Sequence, residues 1–129
     1  MLKSSIENIL YWKTVTQYIL DLPDIRFIGV INNMGRLVLG DYKEGIVPIA
    51  DIEQYKICME HAFELFMKND LDDTLGSLDY IVSKRKNIII ITVPVNNHLV
   101  LISANPNAKI EPIIDEIIKR INQEKILLY

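Results

Sequence analysis

Two histidines, one cysteine, a run of aspartates and a single basic stretch are the residues of this chain with the types to do chemistry. His61 and His98 fall on different predicted elements. Neither belongs to an HxxxH or HExxH pattern, which would set two imidazoles on one helix face for a metal. His61 is read on the polar side of its helix and His98 at a strand start after a turn, both solvated. A lone Cys58 excludes an internal disulfide and fits a reducing compartment. Inside a helical pattern it reads as a small buried apolar residue rather than a reactive thiol. The stretch Asn69-Asp70-Leu71-Asp72-Asp73-Thr74-Leu75-Gly76 has acidic spacing that hints at calcium. It lacks the full set of oxygen ligands and the closing glutamate, so it reads as a solvated turn. Gly35 and Gly40 bracket a strand and punctuate turns; no phosphate-binding glycine loop, serine elbow or triad spacing is present. These residues assign no catalytic group, no metal site and no cofactor, and the chain reads as a non-enzyme.

Composition sets the frame for those residues. At 129 residues, with half of them hydrophobic and 24% charged, the chain suits one domain, 1–129, with a sizeable core. A net charge of −3 argues against binding along a nucleic-acid backbone, which needs a cationic surface. Mean hydropathy is +0.17, yet no apolar run reaches the roughly 18 to 20 residues of a membrane span. The N-terminal stretch has no apolar signal core, so the expected location is cytoplasmic.

The elements that position these residues follow from hydrophobic period. Ile88 to Val93 and His98 to Ser103 read as strands, split by Pro94 and the turn pair Asn96-Asn97. Both are apolar on both faces, so the sheet requires cover above and below. Ile25 to Ile31 and Arg36 to Leu39 form a hairpin around Asn32-Asn33-Met34-Gly35, whose Asn and Gly tolerate positive φ. Phe27 and Ile31 fall on one face of its first strand, Ile28 and Val30 on the other. Gly29 leaves room for a close approach, and Gly40 to Ile49 reads as a loop. A third strand, Ser77 to Ser83, alternates Leu78, Tyr80, Val82 with Asp79, Ile81, Ser83, as an edge or interface strand would.

Three helices accompany the strands. The first runs from about Ser5 to Leu20, capped by Ser4 or Ser5 and ended before Pro23. Tyr11, Trp12, Val15, Tyr18, Ile19 and Leu22 make its core stripe. Ile6, Ile9 and Leu10 project from another side as an apolar patch. The last helix follows Asn105-Pro106-Asn107 with an isoleucine stripe from Ile110 to Ile121, and Pro112 sits harmlessly in its first turn. Ile126-Leu127-Leu128-Tyr129 is an apolar tail. The middle helix, from an Asp51 cap to about Lys68, carries Ile52, Tyr55, Met59, Ala62, Phe63 and Phe66 as its main stripe, flanked by Cys58, Leu65 and Met67. That apolar arc spans roughly 200°, about twice what one contact surface uses. The excess reads as a second packing surface, most simply for a copy of the same helix in a dimer.

The resulting order is helix-strand-strand-helix-strand-strand-strand-helix. It implies an α/β (α+β) three-layer α/β/α sandwich around a five-stranded antiparallel sheet. In that order the chain resembles the Roadblock/LC7 group of the profilin-like fold. The likeness lies in the hairpin Arg26 to Val38, the Asp51–Lys68 helix and the run Leu99 to Ala104 before the last helix. A second resemblance, through a similar hairpin and the run Gly76 to Arg85, is to a small uncharacterised archaeal family. The Roadblock resemblance implies a homodimer that binds or regulates a small GTPase or scaffolds signalling. In such dimers the second helix and third strand meet their copies. Here that implies Tyr55, Met59, Ala62, Phe63 and Phe66 with Tyr80 and Val82 as the interface. Many members carry an acidic residue early in the first turn, where this chain has Asn32-Asn33-Met34. A weaker partner surface is Ile6, Ile9 and Leu10 with Lys84-Arg85-Lys86, the latter otherwise a charged tip that keeps strand ends soluble. The alternative function is a small-molecule-sensing PAS- or profilin-like module, which needs a cavity with placed polar groups.

Overall fold

The computed structural model describes the backbone of residues 2–125 and the side chains of residues 9–122. The tail Ile126-Leu127-Leu128-Tyr129 and the side chain of Ile6 lie outside the described residues. Four helices, α1 (Leu2–Leu20), α2 (Asp51–Lys68), a one-turn α3 (Asp72–Leu75) and α4 (Ile110–Lys125), accompany five strands. The strands are β1 (Ile25–Ile31), β2 (Leu37–Tyr42), β3 (Ile81–Lys84), β4 (Ile89–Val95) and β5 (His98–Ala104). They form one antiparallel sheet in the order β2-β1-β5-β4-β3. No helix among the described residues is long and apolar enough to cross a membrane.

Both sheet faces are covered, as the doubly apolar strands require. On one face Ile28, Ile91, Val100 and Ile102 pack against Val15 and Ile19 of α1 and Ile114 and Ile117 of α4. On the other, Phe27, Ile31, Ile90 and Leu101 pack against α2 through Cys58, Ile57 and Leu65. The two sets alternate along each strand, which is the period-2 consequence of the pleat. Tyr11 Oη donates to the Ile121 carbonyl at 3.2 Å and Tyr18 Oη to Glu116 Oε2 at 3.0 Å, fixing α1 antiparallel to α4.

Local chemistry explains the turns. Asn32 Oδ1 accepts from the Met34 and Arg36 amides at 2.9 and 3.0 Å, and Gly35 takes φ 80°. The β4–β5 hairpin closes over Asn96-Asn97, with Asn96 at φ 55°. Pro94 does not split the strands; it pairs with Leu99 inside β4. The β3 ladder reaches only Thr92, so at Pro94 one edge of β4 is free and the missing N–H costs nothing there.

Several sequence-based boundaries shift. α1 starts at Leu2, ahead of the serines expected to cap it. α2 is preceded by Ala50, with no side-chain cap, and Asp51 lies in the first turn, where its charge favours the helix dipole. The second strand continues through Gly40 to Tyr42 because Gly40 pairs with Gly29. A Cβ on Gly29 would lie 2.7 Å from Leu37 Cδ1 and 2.9 Å from Phe27 Cε2, so side chains of the same hairpin fill that space. The acidic stretch expected as a plain turn folds into a 3₁₀ turn, Asn69–Leu71, and α3. The third strand is four residues long, Ile81–Lys84, and leaves Leu78 and Tyr80 outside the ladder.

Candidate interaction surface

α2 separates its apolar residues into two faces. Toward the sheet lie Cys58 and His61, both buried, with Ile57, Ala62 and Leu65 partly buried beside them. Away from it lie Tyr55, Phe63 and Phe66, which are 57%, 65% and 72% exposed. Met59 is 38% exposed and leans on the first hairpin, where a Cβ on Gly35 would sit 2.5 Å from its sulfur. Ile52 and Met67 extend the outer stripe at both ends, also exposed. Most of the main stripe therefore points outward. Burying three phenyl or phenol rings of this kind is the main driving force available to a partner.

His61 corrects the expectation of a solvated histidine: it is 6% exposed and its Nδ1 donates to the Ile57 carbonyl at 2.8 Å. That back-bond satisfies the ring inside the α2–sheet layer and specifies the Nδ1-protonated tautomer. His98 is half-buried, its ring 5.5 Å from that of Trp12, and is not a free surface residue. Cys58 is buried, and burial pushes its thiol above the ordinary value of 9.0. A neutral thiol is a poor nucleophile.

Tyr80 and Val82 are 42% and 38% exposed beside the free edge of β3. Val82 pairs with Ile91, whose side chain lies in the α1–α4 core. Val82 thus belongs to the face opposite α2. The two halves of the expected interface do not lie on one flat face: Met59 and Ala62 border the first hairpin at Gly35, whereas Tyr80 shares a groove with Lys68 at the C-terminal end of α2. Arg85 Nη2 lies 3.8 Å from Glu60 Oε1 and ties the β3–β4 turn to α2. Lys84 Nζ donates to the Pro106 carbonyl at 2.8 Å. Two cations of the basic run therefore have partners within the domain. Ile9 and Leu10 are exposed on α1, which at Trp12 meets His98 at the start of β5, whereas Lys84 reaches Pro106 beyond the end of that strand, so the weaker partner set does not come together.

Leu71, Leu75 and Val47 are exposed apolar residues that sequence reasoning did not single out. Leu71 and Leu75 line an open groove of about 560 Å³ with Lys68 and Tyr80, at the C-terminal end of α2. The available signal was apolar side chains in segments rich in Asp, Gly and Pro. No group of three or more potential metal-ligating His, Cys, Asp or Glu side chains occurs among the described residues.

Comparison with known proteins places this geometry. Solved structures with the same architecture include a Roadblock/LC7 domain from Streptomyces avermitilis, at TM-score 0.69 and 7% identity over 88% of this chain and 94% of that one. The gliding protein MglB from Thermus thermophilus matches at TM-score 0.69 and 12% identity, over 88% and 87% of the two chains. MglB described in a tetrameric arrangement matches at TM-score 0.69 and 10% identity, over 90% and 88%. At such identities the likeness establishes the fold, which is Roadblock/LC7-like. No curated protein matches the sequence. The chain belongs to a family of unknown function (DUF6659), whose model matches residues 5–128.

Proposed function

We propose that this protein is a homodimeric, non-enzymatic interaction module of the cytoplasm, which serves a small GTPase or a related regulatory protein. The observation that carries the self-association is the outer face of α2. A helix that already seals the sheet through Cys58, Ile57 and Leu65 presents Tyr55, Phe63 and Phe66 to solvent on its other side. Contiguous apolar surface of that kind marks a contact site rather than a solvated face. A second copy brings an identical stripe, and a two-fold pairing satisfies both at once. Met59 and Ala62, beside the first hairpin, and Tyr80 and Val82, at the β3 edge, complete the proposed interface. A tetrameric arrangement is described for one structural relative, in keeping with assembly by copies. The GTPase is carried over from the resemblance to the Roadblock/LC7 group.

Light scattering coupled to size exclusion tests the first part. The expected mass is twice the 14.9 kDa of one chain, and Phe63→Glu is expected to give a folded monomer. A native protein that stays monomeric at tens of micromolar removes the dimer. For the partner, pulldowns from source-cell extract loaded with GTP or GDP are expected to capture a nucleotide-dependent protein. Capture of the same set under both conditions removes the GTPase.

A further inference from the structure

Beneath the N-terminal half of α2 the sheet does not close completely. A cavity of about 80 Å³ lies between α2, the open end of the sheet and the loop after β2. Phe27 and Tyr42, with ring centroids 4.7 Å apart, form one wall, and Ile57, Cys58, Ile90 and Leu101 form much of the rest. Ile46, Val47 and Ile49 stand at the mouth, where Val47 is 83% exposed. Three polar side chains, Arg26, Ser103 and Gln54, break this apolar lining, and Gln54 Oε1 accepts from the Tyr42 hydroxyl at 3.5 Å. Ser103 is 6% exposed, and its hydroxyl takes part in no hydrogen bond among the described residues. Arg26 is brought to the cavity by the register shift between Ile25 and Phe27, where a bulge re-aims a side chain. Its Nη1 donates to Asn105 Oδ1 at 3.0 Å, which holds the guanidinium in place.

The Ser103 hydroxyl opens onto the cavity without a protein partner, so it is free to bond a guest. A guanidinium fork suits a carboxylate geometrically and electrically. The volume sets the rest of the guest. It is about half of the roughly 150 Å³ in which benzene binds an apolar protein cavity, and far below the several hundred Å³ of a drug-sized site. A branched three- or four-carbon tail fits. From these features we infer that the cavity is a binding site for a short branched aliphatic carboxylate. The tail sits against Ile57, Cys58 and Leu101, and the carboxylate meets Arg26 and Ser103. The site uses the inner side of α2 and is independent of the self-association surface on its outer side.

The probe is isobutyrate, titrated into the full chain and followed by amide NMR, with isobutyramide and sodium chloride as matched controls. Saturable shifts at Cys58, Leu101 and Ser103 are expected with isobutyrate. Binding of the neutral amide is expected to be at least about tenfold weaker, because a charge-assisted hydrogen bond is lost. Arg26→Gln is expected to abolish that preference. Ser103→Leu, which fills the cavity, is expected to remove the shifts in a protein that remains folded by circular dichroism. Absence of saturable shifts in the native chain overturns the site, as does unchanged binding in folded Ser103→Leu. Equal affinity for acid and amide overturns the carboxylate. The acid–amide comparison is made on the native protein, so the charge test stands even where Arg26→Gln folds poorly.

Discussion

Cys58 and His61 are the two reactive side chain types that α2 turns inward, and both are used for packing. The Cys58 thiol is held above its ordinary value of 9.0 by burial, so the unfolded chain ionises first as pH rises. Above about pH 9 the unfolded state then binds fewer protons than the native one, and stability falls with pH. The contribution of this group is fully present below that range and is lost as pH climbs through the raised native value. Urea denaturation across the alkaline range is expected to show this decline, and Cys58→Ala is expected to lack that component. A thiol reagent at neutral pH is expected to label native Cys58 far more slowly than urea-unfolded Cys58. His61→Ala removes a buried ring and its bond to the Ile57 carbonyl. It is expected to lower stability by roughly 1–3 kcal/mol in urea titrations. An unchanged midpoint contradicts the burial. The polar type of His61 points to a solvated face, yet the ring is buried. The local back-bond to Ile57 is what lets a polar ring sit on the core side, and residue type does not reveal that bond.

Adjacent positions on α2 lie on different faces, and that separates packing from association. Leu65 packs toward the sheet with Cys58, whereas Phe66 is 72% exposed. Leu65→Glu buries an unpaired carboxylate and is expected to cost about 2–5 kcal/mol of folding free energy. Phe66→Glu is expected to leave the folding of the monomer within about 0.5 kcal/mol and to act on association. Chemical denaturation of both variants, made under monomeric conditions, checks the orientation of the helix. Much at this scale was legible beforehand. The breadth of the apolar arc from Ile52 to Met67 pointed to apolar residues beyond those the sheet covers, and the hairpin at Asn32 to Gly35 followed from its turn chemistry. Which half of the arc met the sheet was not legible from residue types, since aromatic residues suit a core and an interface equally. The length of β3 was not legible either. Leu78, Asp79 and Tyr80 alternate as a strand does, but alternation records side-chain faces and not whether a neighbouring backbone is present to pair. β4 itself runs on to Val95, but its ladder with β3 stops at Thr92, opposite Ile81.

For the whole molecule, the sheet ends at β2 on one side and β3 on the other, and neither edge is paired among the described residues. Free edges invite association, and proteins manage them by charge, brevity or a partner. β3 is short and carries Lys84 with Arg85 and Lys86 beyond it, yet Tyr80 and Val82 are exposed beside it and Tyr80 shares a groove with Lys68 at the C-terminal end of α2. A two-fold pairing on this side closes on itself, whereas a head-to-tail contact with the β2 edge propagates. The exposed rings of Tyr55, Phe63 and Phe66 share one helix face, and a two-fold pairing of that face favours the closed form. Folding and association are then linked by mass action. The melting temperature of the native chain is expected to rise with protein concentration, while that of Phe63→Glu stays constant. Val82→Lys is expected to reduce the slope without abolishing it, because its side chain lies across the sheet from the aromatic stripe. Calorimetry over a hundredfold concentration range reads all three. A native melting temperature independent of concentration means that the outer face of α2 does not hold two copies together, and its apolar rings then require a different partner.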